Sequence, residues 1–487
     1  MFKGLEKDSN WYLIAILLLA LVLRLILINQ SLWLDEAIQI LAVKNNSYSQ
    51  LITQYSLDDF HPPLYHLVLK FWTTIFGITE FAARSFSVLT GIATVYIVYL
   101  IGKEIKHEKL GLITAAFLAT APLHIYYSQE ARMYSLAAFF VATLVYFFLK
   151  VLKTGKQILW FLFTLTLVLT LYTDYLPYLI LIPLNLYVFW QIKSLYKNFL
   201  VNWLASQLIS FLFLLPWLPF FFKQIQIGTQ AAGNPIWRQV VGNFQWKAIP
   251  VTFAKFIAGR ISSFNKIFYA ASLFFPAVHY GFLAFKALFE KEKERVLIFS
   301  WLIVPVFIGW IISIFIPVFS FFRFLFVLPA MYLILGLGIL SFKNLKTQVV
   351  FLALVLAVNF VSQIIFWSNP RFWREDWRSA VFYIEANSDK GSAAVFVTPF
   401  QTAAYDYYLE KTNSAYSKRI PSLGPKNWQD KNLTTIWLSR YVQPIFDTED
   451  NLRSEIESAG YTKIEERDFN GVTFWRYDKL LAISDQQ

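Results

Sequence analysis

The first 368 residues alternate long apolar runs with short polar breaks. Eleven runs stand out: residues 11–29, 82–102, 110–126, 132–150, 157–172, 175–192, 199–222, 267–289, 296–316, 324–341 and 347–367. A helix needs about 17–25 apolar residues to cross a bilayer, so each run predicts a membrane span. The stretch HPPLYHLVLKFWTTIFG (61–77) has the length of a span but carries Lys70 in mid-run. Pro62 and Pro63 suit the first turn of a helix, and the stretch predicts an amphipathic helix at the outer membrane interface. After residue 368 the pattern changes. GSAAVFVTPF and TTIWLSRYV predict buried strands, and YTKIEERDFNGVTFWRYD predicts a hairpin turning at Asn470–Gly471. EDWRSAVFYIEAN and DTEDNLRSEIESAG have helical apolar spacing, the second closed by Gly460. The expected architecture is an α-helical polytopic membrane protein. Residues 1–368 would hold about eleven transmembrane helices, with interfacial helices in the first outer loop, and 369–487 a small C-terminal α/β extracytoplasmic domain.

Composition agrees. The 487 residues are 57% hydrophobic and only 15% charged, and the mean hydropathy is +0.49. Such values exclude an ordinary soluble globular protein. There is no cysteine, so disulfides and thiolate metal sites are excluded. The first run lacks a small-residue cleavage site and reads as a retained anchor. The net charge is +12, yet residues 369–487 hold 15 basic and 17 acidic side chains, leaving +14 to the first 368. The basic surplus therefore belongs to the membrane part, which points to a lipid surface or a phosphate and not to nucleic acid.

Lys and Arg favour short cytoplasmic loops. GKEIKHEK (102–109), KVLKTGK (150–156), QIKSLYK (191–197), FEKEKER (289–295) and SFKNLK (341–346) read as cytoplasmic, as does the N-terminus with Lys3 and Lys7. The connections 30–81, 127–131, 173–174, 223–266 and 317–323 and the tail then fall outside the cell membrane.

That outer side holds seven acids before the tail: Asp35, Glu36, Asp58, Asp59, Glu80, Glu130 and Asp174. LWLDEAIQI sets Asp35 and Glu36 where the first run leaves the bilayer. Asp58, Asp59 and His61 have the residue types of a metal site, and a divalent metal is left open as cofactor. Loop 223–266 carries Lys223, Arg238, Lys247, Lys255, Arg260 and Lys266 and no acid. Acids in one loop and bases in another suit a lipid phosphate held beside a general base. Plainer readings stand next to these. Asp35 and Glu36 suit a helix N-terminus, as does Glu130. Asp58 to His61 suit a solvated turn before the prolines. Tyr126, Tyr127 and Tyr134 suit an aromatic belt. Arg24 and Arg323 suit snorkelling to the interface, and the basic loop suits lipid headgroups.

LWLDEA, HPPLYHLVLKFW, EFAARSFSVLTGIATVYIVYLIGKEI and YYSQEARMYSL, in this order and at these separations, resemble the protein O-mannosyltransferase-like membrane glycosyltransferases. These are glycosyltransferase family 39 and its bacterial and archaeal relatives, and the lipid A aminoarabinose transferases share the architecture. The resemblance covers about residues 10–370. It implies a GT-C fold, a polyprenyl-phosphate sugar donor and an acidic residue of the first outer loop as catalytic base. By position that base is Asp35, with Glu36 beside it. His61, Glu130, Arg132 and Tyr134 lie in the matching motifs and join Arg323 as candidate substrate-binding residues. The family often has His in the turn where this chain reads LYTDYLPY, and Asp174 departs from it.

The chemistry stands without the resemblance. A polyprenyl phosphate is a good leaving group that needs charge stabilisation, which Arg323 and the basic loop could supply. An acceptor hydroxyl needs one base, and one displacement inverts the anomeric centre. The expected activity is transfer of a mannose-like hexose or similar sugar to an extracytoplasmic hydroxyl of a protein, lipid or cell-surface glycan. A lipid or sugar flippase is the alternative from another class, and a non-catalytic assembly subunit is a third. Transporters place ionisable groups near mid-membrane and often repeat their halves. Here the acids lie in outer loops and no internal repeat is found.

Overall fold

The computed structural model describes residues 5–231, 233, 235–236, 238, 242–411 and 419–479. By contacts it forms two compact units. One joins residues 1–28 to 46–368, and the other joins 29–45 to 369–487.

Among the described residues the regular structure of the first unit is all helix, as lipid demands of a backbone that water cannot satisfy. Each of the eleven apolar runs forms helix. Eight helices among the described residues are long and apolar enough to cross a membrane. They are Glu80–Ile105, Tyr134–Thr154, Leu176–Ser194, Phe199–Gln230, Lys266–Leu288, Arg295–Ile312, Phe321–Leu340 and Leu345–Ser368. A ninth run is a bent pair, Glu108–Thr120 and Pro122–Ser128, at 63° to one another. The first helix, Leu5–Leu25, has 21 residues, about 31 Å at about 1.5 Å per residue, whereas the apolar helix Gln157–Leu171 is shorter and does not alone reach across about 30 Å of hydrocarbon. The predicted amphipathic helix is Leu64–Phe76, preceded by Pro63. Loop 223–266 is more ordered than read: Lys223 lies in the long helix ending at Gln230, and Ala248–Ala258 is a helix. Residues 232, 234, 237 and 239–241 of that loop lie outside the described residues.

The bend at Ala121–Pro122 has a local cause. Proline has no N–H and pushes the residue before it out of the helical region, and Ala121 sits at φ −63°, ψ 116°. The break orphans carbonyls inside an apolar bundle. Arg24 takes two of them, donating Nη1 to Ala119 O (3.1 Å) and Nη2 to Leu118 O (3.4 Å). Asn359 donates Nδ2 to Phe117 O (3.2 Å) and to the Thr120 hydroxyl (3.0 Å). Arg24 therefore does not snorkel. It is fully buried, with further bonds to Ala20 O, Ser128 Oγ and His124 Nδ1. Gly91 lets the helices approach here, since a Cβ would lie 2.2 Å from Ser128 Oγ.

The second unit is α/β. Its strands are β1 (Ser392–Val395), β2 (Ser422–Leu423), β3 (Thr435–Ser439), β4 (Tyr461–Phe469) and β5 (Val472–Lys479), in the order β2-β1-β3-β5-β4. β1 runs parallel to β2 and β3, while β5 runs antiparallel to β3 and β4. β1 and β3 are buried on both faces, which explains their unbroken apolar runs. The hairpin turns at Asn470 (φ 52°) and Gly471 (φ 94°), the two positive values a two-residue turn of this kind requires. Trp377–Ala386 and Asn451–Ser458 are helical as read. Val395, Ile436, Leu438, Ile456 and Tyr477 are among the residues of one core cluster.

Candidate active site

In the second unit, Asp35 and Glu36 open the helix Leu34–Asn45. Ala37 N–H bonds Trp33 O at 3.0 Å, so both acids lie in the first turn, where the helix dipole favours negative charge. Glu36 is fully buried, while Asp35 is half-buried. Nearby, the Tyr441 hydroxyl donates to Glu375 Oε1 at 2.7 Å and the Trp377 indole donates to Glu375 Oε2 at 3.2 Å. Burial first, then Glu375 and lastly the Asp35 charge push the Tyr441 phenol far above its ordinary range.

The first unit builds a different carboxylate site. Asp59 ends the short helix Ser56–Asp59, and Phe60 turns the chain through a left-handed conformation (φ 60°) to present His61. Asp59 Oδ1 accepts from Arg132 at 3.0 Å, and Oδ2 accepts from His61 Nδ1 at 2.9 Å. His66 Nε2 lies 3.4 Å from Oδ2. Burial opposes the Asp59 charge, but Arg132 and His61, then His66, outweigh it and hold the carboxyl well below the usual carboxylate range. Burial pushes His66 down to about 4 despite Asp59. A second layer fixes the turn. Gln224 donates Nε2 to Ser56 O (2.5 Å) and His61 O (3.2 Å), and Tyr175 donates its hydroxyl to Gln224 Oε1. Leu64 N–H bonds Tyr172 O at 3.1 Å.

The QEAR motif divides its labour. Gln129 donates Nε2 to Arg24 O (2.9 Å) and Ile26 O (2.5 Å). Glu130 is buried. Arg132 goes to Asp59, and Tyr134 packs on Tyr127 and Phe322 with ring centroids 5.4 and 5.2 Å away.

Beside this aromatic group lies a cationic one. Lys255 Nζ donates to Ile261 O at 2.7 Å and sits 5.5 Å from the Tyr269 ring centre and 5.9 Å from that of Phe321. Arg260 lies over Tyr126 (5.1 Å) and Phe321 (5.9 Å). Arg323 is two residues beyond Phe321, with its Nε buried and without a hydrogen-bond partner. Among the described residues no carboxylate pairs with Lys255 or Arg323. Burial, then Arg260 and Lys266, push the Lys255 amine down to about 8.

Among the residues singled out in the sequence, the structure thus brings Asp59, His61 and Arg132 together. It sets Tyr134 against Phe322, the neighbour of Arg323, and it places Asp35 and Glu36 in the other unit. Asp58 is exposed and stands outside the cluster. Among the described residues no group of three or more His, Asp or Glu is disposed to hold a metal ion; the Asp59 oxygens are occupied by Arg132 and His61 instead. His66, Gln224 and Tyr175 escaped the sequence reading. For His66 a signal existed, since HPPLYHL puts a second imidazole within one turn and a half of the first.

A family model described as dolichyl-phosphate-mannose-protein mannosyltransferase matches residues 60–220, from the Asp59 turn to the start of the Gln224 helix. No curated protein sequence matches the chain. In structure, the chain is similar to ArnT from Cupriavidus metallidurans in the apo state (TM-score 0.59, 11% identity, 96% of this chain and 98% of that one). It is similar to the same protein bound to undecaprenyl phosphate (TM-score 0.58, 11% identity, 98% and 100% covered).

The chain has the ArnT-like GT-C fold.

The same fold recurs in the Archaeoglobus fulgidus oligosaccharyltransferase AglB in complex with an inhibitory peptide and a dolichol-phosphate (TM-score 0.50, 12% identity, 96% and 74% covered). Among the described residues eight helices, or nine with the bent pair counted as one span, are long and apolar enough to cross a membrane, which makes the molecule an integral membrane protein.

Proposed function

We propose that this chain is a glycosyltransferase that moves a mannose-like hexose from a polyprenyl-phosphate donor to an extracytoplasmic acceptor hydroxyl, with inversion. Asp35 takes the hydroxyl proton. The acceptor oxygen bonds the anomeric carbon as the bond from that carbon to the phosphate oxygen breaks, and polyprenyl phosphate leaves with the electron pair. Lys255, Arg260 and Arg323 hold that phosphate. The observation that carries the reading is the absence of any carboxylate partner for Lys255 and Arg323 among the described residues. Cations half-withdrawn from water need an anion, and the ArnT structure of the same fold holds undecaprenyl phosphate. His61, fixed through Nδ1 by Asp59, offers Nε2 to the substrate, while Arg132 serves the site by holding Asp59. Glu130 and Tyr134 line the substrate side of the same segment. Glu36, fully buried, positions its helix or the acceptor.

The decisive experiment is Asp35→Asn, which keeps size and shape but removes basicity. Loss of base catalysis costs about 10²–10⁴-fold in turnover with donor binding intact. Near-normal transfer by the correctly inserted variant would leave Asp35 as a first-turn acid of its helix only. The same assay with labelled donor separates the classes, because movement of the lipid without sugar transfer would make the protein a flippase. The Lys/Arg distribution favours a second unit outside the cell, so a reporter active only in the cytoplasm should stay silent when fused after Gln487; activity there would reverse the orientation.

A further inference from the structure

Asp35 is three residues from a set of bonds that do not come from its own loop. The Tyr408 hydroxyl oxygen accepts the Leu32 N–H at 2.7 Å and the Ser31 hydroxyl at 3.2 Å. Arg378 donates its backbone N–H to Ser31 Oγ at 3.1 Å and Nη2 to Asn29 O at 3.0 Å. Arg374 N–H bonds Gln30 Oε1 at 3.1 Å. Every residue from Asn29 to Leu32 is therefore bonded to the helix Trp377–Ala386, to the turn before it, or to the helix Thr402–Lys411. At the far end of the carboxylate helix, Lys44 pairs with Glu410 at 2.5 Å. Tyr408 is 1% exposed, and its ring lies 5.7 Å from the Arg378 guanidinium. A buried phenol at this point fixes where the backbone stands two residues before the helix begins. That in turn fixes the carboxylate at the second helical position.

We propose that Tyr408 and Ser31 are positioning residues for the transfer reaction: the C-terminal domain acts as the holder of the helix that carries Asp35, with Tyr408 as its pin. This rests on Asp35 as base. It assigns the domain a part in turnover and not in donor binding, because none of these bonds touches the cationic group of the first unit. A reacting group displaced by about 1 Å loses roughly 10²-fold in rate. Loss of one pin of several costs less.

The test uses the full-length purified protein. Tyr408→Phe keeps the ring and removes the hydroxyl. The expected result is a fall in kcat of about tenfold or more, an unchanged donor KM, and faster hydrogen exchange at the Leu32 amide. Ser31→Ala, which removes a smaller group, should lower kcat in the same direction and covers the case in which Tyr408→Phe does not fold. Normal kcat with faster exchange at Leu32 would overturn the proposal, as would a lower melting temperature with kcat unchanged below it. Exchange at Leu32 unaffected by Tyr408→Phe would remove the pin itself. These results are separable from failure of the base: full activity in Asp35→Asn would end that reading whatever Tyr408→Phe does to the Leu32 amide.

Discussion

Two charged groups of the first unit sit within one fold and obey opposite rules. Around Asp59 every charge is answered. Arg132 and His61 bond the carboxylate at 3.0 and 2.9 Å, His66 stands at 3.4 Å, and Gln224 holds the backbone behind them. Around Phe321 the cations accumulate instead, and Lys255 and Arg323 meet no carboxylate among the described residues. Burial is a cost to both groups, and in the first the ion pairs to Asp59 offset it. The difference separates architecture from function. A saturated carboxylate can accept little more from a substrate and serves to fix a turn. Lys255 and Arg323, which meet no carboxylate among the described residues, are withdrawn from water at some expense, and an incoming phosphate would relieve that expense.

The largest effect should come from breaking the saturated group. Asp59→Asn keeps the shape and removes the charge that Arg132 and His61 are bonded to. The expected loss is about 3–5 kcal/mol of stability, seen as a lower melting temperature. A melting temperature within a degree of the parent would show that Asp59 is not what holds the turn. The next effect belongs to the open group and should leave stability alone. Arg323→Ala should weaken donor binding by about ten- to a hundredfold, the range of one hydrogen bond to a charged group. Arg323→Lys should recover only part, because lysine lacks the planar fork. Donor affinity unchanged in Arg323→Ala would take that residue out of the phosphate site.

How far the sequence could see follows from the range of each interaction. Apolar runs report their own burial, so the helices and the change of pattern at residue 368 were legible. The bend at Ala121 was also legible in principle, since Pro122 stands in the middle of run 110–126. Helix ends were not, because composition does not mark where a helix stops: Leu27 turns through φ 63° two residues after the first helix ends. The site was legible in kind but not in pairing. His61 and Asp59 are neighbours in sequence, yet Arg132 is 73 residues away. Tyr408, which holds the approach to Asp35, is 376 residues from Leu32. The Arg24 reading failed for the same reason. Snorkelling is a local expectation, and the carbonyls that captured this guanidinium come from a helix break 94–95 residues on.

The finest distinction between the two groups is in their response to pH, and Lys255 carries it. Its amine titrates near 8 in the folded protein, lowered first by burial and then by Arg260 and Lys266, against about 10.4 in an unfolded chain. Between these values the unfolded chain binds the extra proton, so the empty protein gains stability as pH rises from about 8. Binding must go the other way. A phosphate beside Lys255 favours the charged amine, so donor-phosphate affinity should be flat below pH 8 and fall above it, with proton uptake on binding. A phosphate monoester's own second ionisation lies near 6 and does not enter that window. The drop should be modest, about fivefold between pH 7 and 9.5, because one partly buried amine among three cations is lost. Lys255→Met, similar in length and uncharged, should bind weakly at pH 7 and lose the slope, meeting the parent protein at high pH. Labelled polyprenyl phosphate titrated across that range measures both curves. Parallel curves would mean that Lys255 faces something other than the phosphate, and its lowered amine would then be a consequence of burial alone.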